Sequence, residues 1–109
     1  MLEMKRGDLE PALVVTVEDA GGVANLNLVT SWRLIGMLNG VVVLDDAPDT
    51  AVVDAQNSSK AVLTRAWETA ETATVGMMLG EAEATWPGGR KQTFPADGFF
   101  QVHFNADLG

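Results

Sequence analysis

The sequence predicts an all-β domain, a sandwich or barrel built from seven or eight short antiparallel strands. Apolar and polar residues alternate along several short segments, most clearly along Ala12–Glu18, and this is the pattern of a half-buried strand. Clusters of Gly, Pro, Asn and Asp separate these segments by roughly eight to twelve residues, a spacing typical of sandwiches and barrels. No segment has the sustained 3.6-residue periodicity of a helical bundle, and strands do not alternate with helices.

Length and composition are those of a single small domain. The chain has 109 residues, 47% of them apolar, and no cysteine, so neither disulfides nor thiolate chemistry are expected. Residues 1–9 are polar and interrupted by Gly7, and we expect them to form a flexible N-terminal arm ordered by a neighbouring subunit. Residues 10–105 are expected to form the sandwich. The N-terminus lacks the apolar run of a signal peptide.

Charge and hydropathy argue against two classes of partner. The net charge is −8, and the seven basic residues are scattered along the chain, which disfavours binding to a phosphate backbone. The longest apolar run, Val41–Leu44, is far too short to span a bilayer. We therefore expect neither nucleic acid nor a membrane as a partner.

The first half of the domain reads as strands separated by turns. Pro11 suits the start of the strand Ala12–Glu18, and the weak alternation of Asn25–Leu28 predicts a short edge segment. Thr30–Leu38 is strand-like, although Ile35 and Met37 blur its alternation and indicate that both faces are partly covered.

The strongest hairpin signal in the chain follows at Asn39-Gly40, with Val41–Leu44 as the returning strand. Ala51–Asp54 is a short strand candidate. Gln56–Lys60 has the composition of a loop, and Ala61–Trp67 again alternates.

The last third contains one candidate helical turn and the closing strands. Glu68–Thr74 predicts a loop with a single turn of helix, and Gly76–Trp86 a strand with Glu81 and Glu83 on its solvent face, since unpaired buried carboxylates are costly. A tight turn at residues 87–89 and a kink from Pro95 to Gly98, where Asp97-Gly98 redirects the chain, precede a final strand that ends near Phe104.

Candidate catalytic and metal-binding residues are sparse. His103 is the only histidine and lacks a second ligand or nucleophile nearby in sequence, so we expect it on the solvent face of the last strand. Glu81 and Glu83 lie about 7 Å apart along one strand, a distance that suits glycosidase carboxylates, but a chain of this size leaves little room for a cleft. Four aspartates, at positions 45, 46, 49 and 54, form an acidic loop that departs from the twelve-residue calcium loop, so a solvated loop is favoured over a Ca²⁺ site.

The tryptophans and the Arg6-Gly7-Asp8 tripeptide have two interpretations each. Trp32, Trp67 and Trp86 are expected to pack in the core, with sugar stacking as the alternative, and Trp86 beside its turn is the one expected to be partly exposed. The tripeptide matches a cell-adhesion motif by its letters, but a turn at Gly7 is the more physical interpretation.

The order of these features resembles a known family. Arg6-Gly7-Asp8 precedes the first strand, the strand from Gly76 ends in Ala-Thr-Trp-Pro-Gly-Gly, and Thr93-Phe94-Pro95-Ala96-Asp97-Gly98 precedes the last strand. From Lys5 to Phe104 the chain is similar to the small immunoglobulin-like virion domains of tailed phages, in particular to the N-terminal domain of the phage baseplate upper protein family.

This resemblance implies an immunoglobulin-like sandwich that is not an enzyme and binds no cofactor. It would be a structural component of a tailed-phage virion, assembled in the host cytoplasm as a head decoration, head–tail connector or tail/baseplate protein. Its partners would be other capsid, connector or tail proteins, with copies of itself in a homo-oligomer or symmetric array. We expect the partner contacts at six residues: Lys5, Arg6, Asp8, Trp86, Arg90 and Phe94. The alternative is a carbohydrate-binding sandwich module that uses exposed tryptophans and the acidic loop.

Overall fold

The computed structural model describes residues 2–95 and 98–106, which form nine β-strands and two short 3-10 helices. The strands in chain order are β1 (Leu2–Lys5), β2 (Leu13–Glu18), β3 (Ser31–Leu38), β4 (Val41–Asp46), β5 (Thr50–Asp54), β6 (Asn57–Arg65), β7 (Gly76–Thr85), β8 (Lys91–Phe94) and β9 (Phe100–Asn105). The 3-10 helices are Leu26–Leu28 and Thr69–Thr72. The predicted all-β class is confirmed. No helix of the described residues is long and apolar enough to cross a membrane.

The strands form two sheets that pack face to face around one core. The larger sheet has the order β1-β9-β7-β3-β4, and β8 pairs with β7 beyond the end of β9. The smaller sheet has the order β2-β6-β5. Alternate residues of both sheets point inward, and the most deeply buried of them include Leu34, Leu63, Met78, Val102 and Phe104.

Residues 2–5 are not an arm, as the sequence suggested, but a strand of the larger sheet. β1 pairs in parallel with β9, with Leu2 opposite Val102 and Lys5 opposite Asn105. Met4 is buried against the core, and the Arg6 backbone N–H donates to the Asn105 carbonyl oxygen at 2.8 Å. The larger sheet is therefore mixed, whereas the smaller one is wholly antiparallel. The described residues form nine strands rather than the expected seven or eight. Four residues are too few for alternation to identify a strand in the sequence.

The predictions for residues 25–28 and 56–60 were wrong, and most of the other predicted strands and turns were confirmed. Asn25–Leu28, expected as an edge segment, contains a 3-10 helix that begins where the Asn25 side chain accepts a hydrogen bond from the Asn27 backbone N–H at 3.1 Å. β6 begins at Asn57, inside the predicted loop at 56–60. The Asn39-Gly40 hairpin is confirmed, with φ of 53° and 78° at its two turn residues. β8 ends at Phe94, directly before Pro95, while the predicted role of Asp97 falls outside the described residues.

Two glycines let the inner face of the larger sheet accept large side chains. Gly36 on β3 lies opposite Gly80 on β7. A Cβ atom on Gly36 would stand 2.5 Å from the Met78 sulfur, and one on Gly80 would overlap the ring of Phe100. Because neither position carries a side chain, Met78 and Phe100 can pack directly against the backbone.

A buried arginine ties the two sheets together. Arg65 at the end of β6 is 4% exposed. Its guanidinium donates to Glu71 Oε1 at 2.6 Å, to Asp46 Oδ2 on β4 at 3.1 Å and to the Ala66 carbonyl oxygen at 3.2 Å. These charge-assisted bonds connect the smaller sheet to β4 and to the second 3-10 helix, and hydrogen bonding to Glu71, with a smaller contribution from Asp46, raises the pKa of Arg65.

Candidate protein-interaction surface

Three of the expected contact residues lie in one turn after β1. Lys5 to Asp8 form a β-turn in which the Asp8 backbone N–H donates to the Lys5 carbonyl oxygen at 3.1 Å, and Gly7 adopts a positive φ of 85°. The turn predicted for the Arg6-Gly7-Asp8 tripeptide is therefore confirmed. The side chains of Lys5, Arg6 and Asp8 are exposed.

The other three expected residues lie at the far end of the larger sheet. Trp86 is half-buried, and its Nε1 donates to Gln92 Oε1 at 3.1 Å, while Arg90 is exposed in the same turn. Phe94 is 3% exposed and packs against Trp32, with ring centroids 6.0 Å apart, so its assignment as a contact residue is wrong. Its aromatic character signalled a core position rather than a surface anchor.

The two groups do not form one site. Lys5 lies opposite Asn105 on β9, whose neighbour Phe104 lies opposite Gly76 at the start of β7. Trp86 directly follows Thr85 at the other end of β7. The ten residues of β7 at about 3.3 Å each place the groups roughly 33 Å apart. A single short segment of a partner could not reach both groups.

The residues considered for chemistry are also dispersed. The four aspartates do not form the predicted acidic loop, because Asp45 and Asp46 end β4 and Asp54 ends β5. They have four different partners: Asp45 pairs with Arg33, Asp46 with Arg65, Asp49 accepts from the Ala66 backbone and Asp54 from the Gln56 backbone. His103 Nδ1 lies 3.3 Å from Glu3 Oε1 on the outer face of the larger sheet. Within residues 2–95 and 98–106, no three His, Asp or Glu side chains converge on one metal position.

The outer face of the larger sheet instead carries a contiguous apolar patch. In the cross-strand row Val42–Met37–Leu79, apolar side chains stand next to one another across β4, β3 and β7. Met37, Val42 and Phe99 are 43%, 52% and 53% exposed. We define the apolar patch by six residues: Ile35, Met37, Val42, Met77, Leu79 and Phe99.

The centre of the apolar patch is a shallow hollow of about 390 Å³. Met37, Met77 and Leu79 line it, the Asn39-Gly40 turn closes one end and Phe99 borders it. Unbranched methionine side chains adapt to the shape of whatever covers them, and exposed aromatic and methionine residues are enriched where proteins meet.

Charged side chains border the apolar patch as ion pairs within the chain. Arg33 forms a two-point pair with Asp45, in which Nη2 lies 2.6 Å from Oδ2, and this hydrogen bonding holds the pKa of the Asp45 carboxyl below its usual value. Lys91 Nζ lies 3.1 Å from Glu83 Oε1. An apolar centre with a polar border is the usual anatomy of a protein–protein interface.

The sequence contains a partial signal for the apolar patch. Ile35 and Met37 blur the alternation of their strand because they are its outward apolar residues. Met77 and Leu79 share a face with Glu81 and Glu83, and the glutamates alone predict that this face is solvated. Phe99 lies before β9, where no strand periodicity applies.

Comparisons with known proteins assign this chain to no family. No family model matches the sequence. No curated protein matches it. Among solved structures, the chain is similar to CopC from Methylosinus trichosporium OB3b, with 14% sequence identity and a TM-score of 0.47 over 99% of this chain and 86% of that chain.

Proposed function

We propose that this protein is a non-enzymatic structural component of a tailed-phage virion that acts through protein–protein contacts in the head, connector or tail. The observation that carries the proposal is the exposed apolar patch. Met37, Val42 and Phe99 of this patch are 43%, 52% and 53% exposed, and adjoining exposed apolar side chains of this kind often mark a protein contact.

The strand order supports an immunoglobulin-like assignment within this proposal. The order β9-β7-β3-β4 in one sheet and β2-β6-β5 in the other corresponds to strands G-F-C-C′ and B-E-D of that fold. The sequence resemblance to phage virion domains and this topology point to the same class of protein. A fold alone hosts many functions, so the apolar patch remains the main argument.

The test is incorporation of surface variants into particles. A phage lacking this gene is complemented with wild type, with Phe99→Lys on the apolar patch, or with Val52→Lys on the outer face of the smaller sheet. Phe99 and Val52 are 53% and 63% exposed, so the two substitutions add the same charge at similarly exposed sites. We expect Phe99→Lys to reduce incorporation at least tenfold and Val52→Lys to leave it unchanged. Equal incorporation of both would contradict the proposal.

A second candidate function, carbohydrate binding, rests on the hollow beside Trp86. Trp86, Arg90, Lys91 and Gln92 line a hollow of about 460 Å³ that offers an aromatic edge and several hydrogen-bonding groups. A glycan seated there would shift the Trp86 fluorescence, and Trp86→Phe would abolish the shift. If no glycan in a broad panel shifts the emission of the wild-type protein, this candidate is rejected.

A further inference from the structure

We propose that the hollow lined by Trp86, Arg90, Lys91 and Gln92, here called the Trp86 hollow, binds an acidic carbohydrate. In this proposal the Arg90 guanidinium holds the carboxylate or sulfate group of the ligand. The inference rests on the second candidate function, because it names the ligand class of the same hollow. It does not depend on the virion role.

The first argument is that a hydrogen-bonded turn holds the two main groups of the site together. The Trp86 backbone N–H donates to the Arg90 carbonyl oxygen at 2.7 Å, and the Gly89 N–H donates to the Trp86 carbonyl oxygen at 3.0 Å. Gly88 and Gly89 adopt positive φ values of 84° and 81°, which the tight turn requires. Trp86 and Arg90 are therefore neighbours before any ligand arrives, and a preorganised site loses less entropy on binding.

The second argument is the position of the Trp86 indole. The ring is half-buried and packs in part against the core, and its Nε1 donates to Gln92 Oε1 at 3.1 Å. This bond satisfies the indole N–H and fixes the ring, and the rest of the ring surface lines a hollow of about 460 Å³. Aromatic surface packs against the C–H groups of a sugar ring, while the Gln92 amide N–H groups can donate to its hydroxyls.

The third argument is local charge. The chain carries −8 overall, yet two basic residues, Arg90 and Lys91, border the Trp86 hollow. Lys91 pairs with Glu83, but no ion pair joins the exposed Arg90 to a carboxylate within residues 2–95 and 98–106. A planar guanidinium donates two parallel hydrogen bonds to an acidic group. Charges more than about 8 Å away are largely screened at physiological salt, so distant acidic residues oppose this contact little.

The acidic residues next to the site favour a ligand with few negative charges. Glu18 and Asp19 border a second hollow, of about 270 Å³, which shares Gln92 with the Trp86 hollow. Carboxylates accept hydrogen bonds from sugar hydroxyls but repel further anionic groups. A sugar with one acidic group directed at Arg90 therefore fits better than a polyanion such as a nucleic acid.

The experiment compares acidic sugars with neutral counterparts of the same size. The wild-type protein is applied to an array of sialylated, uronate-containing and sulfated oligosaccharides, each beside its methyl-ester or desulfated form. Isothermal titration calorimetry then gives Kd for the tightest pair. We expect the acidic form to bind at least tenfold more tightly than the neutral one, and the carboxylated and sulfated members show which acidic group is preferred.

Two arginine variants assign the preference to the Trp86 hollow. Arg90→Gln keeps the backbone carbonyl that closes the turn, so the fold is retained and the preference for the acidic form should disappear while binding of the neutral form stays the same. Arg6→Gln is the matched control, because Arg6 is an exposed arginine in a turn roughly 33 Å away. This variant should keep the full preference.

Equal binding of acidic and neutral forms, or a preference that survives Arg90→Gln, would overturn the inference. The second candidate function fails in a different way. If neutral and acidic sugars bind equally and Trp86→Phe abolishes both, carbohydrate binding stands and only the acidic preference is rejected. If no member of the array binds, the inference and the second candidate function are both rejected.

Discussion

Substituting Gly36 with alanine should destabilise the fold through a single close approach. Gly36 is buried, and a Cβ atom there would stand 2.5 Å from the sulfur of Met78 and 3.1 Å from two of its carbon atoms. Met78 is 0% exposed, so its side chain cannot move out into solvent. Overpacking of this kind costs about 1–3 kcal/mol, and the lower chain entropy of alanine in the unfolded state offsets about 0.4–1 kcal/mol.

The midpoints of these two ranges give a net cost of about 1.3 kcal/mol. With an unfolding entropy of about 2.1 cal/mol/K per residue, a chain of this length loses roughly 4 °C of Tm per kcal/mol, so Gly36→Ala should melt about 6 °C lower. Gly21→Ala is the matched control, because a Cβ atom there meets nothing closer than 3.6 Å and φ is not positive. We expect its Tm to stay the same or rise slightly.

A double-mutant cycle with Met78→Ala makes the test specific. Removing the Met78 side chain vacates the space that a Cβ atom on Gly36 would enter, so Gly36→Ala should cost nothing in that background. Differential scanning calorimetry on the four proteins gives the coupling free energy. An unchanged cost of Gly36→Ala in both backgrounds would refute the packing described for β3 and β7.

Three further predictions concern the elements that join the sheets. Arg65→Ala should lower the free energy of unfolding, measured in urea, by about 3–5 kcal/mol, because it removes the guanidinium that pairs with the largely buried Glu71 carboxylate. Arg33→Ala, which breaks an exposed ion pair, should lower it far less. Hydrogen bonding from Arg65 lowers the pKa of Asp46 below its ordinary 3.8. The ionised Asp46 carboxylate therefore contributes its full stabilisation of the fold above pH 3.8, and this contribution is lost as the pH falls through the lowered pKa. Asp46→Asn should accordingly flatten the loss of stability between neutral pH and pH 2 in urea titrations, and an unchanged pH profile would contradict the assignment. Met4→Ala should lower the free energy of unfolding by about 2–3 kcal/mol in the same assay, because Met4 on β1 is buried in the core. If residues 2–5 were a mobile arm, the substitution would leave the free energy of unfolding unchanged.

The fold class could be predicted because its signals are local. Alternation along Ala12–Glu18, the Asn39-Gly40 turn and Pro95 each depend on a few adjacent residues, and each appears in the structure at the expected place. The parallel pairing of β1 with β9 could not be predicted. It joins residues about a hundred positions apart, and nothing within Leu2–Lys5 specifies a partner.

The candidate site was harder to predict than the fold. Phe94 and Phe99 have the same side chain five positions apart, yet one is buried under Trp32 and the other exposed on the outer face. What distinguishes them is the pairing of β8 and β9 along one side of β7, which is a tertiary property. Outward apolar residues such as Met37 and Leu79 are visible in the sequence as faults in alternation, but only the register shows that they are neighbours.

The most direct test of the proposed role is the copy number of this protein in purified phage particles, measured by quantitative mass spectrometry against the major capsid protein. The virion role predicts a fixed stoichiometry. Hundreds of copies would indicate capsid decoration, and a ring-sized number a connector or baseplate component. Absence from particles would contradict the role and would leave carbohydrate binding at the Trp86 hollow as the function to test.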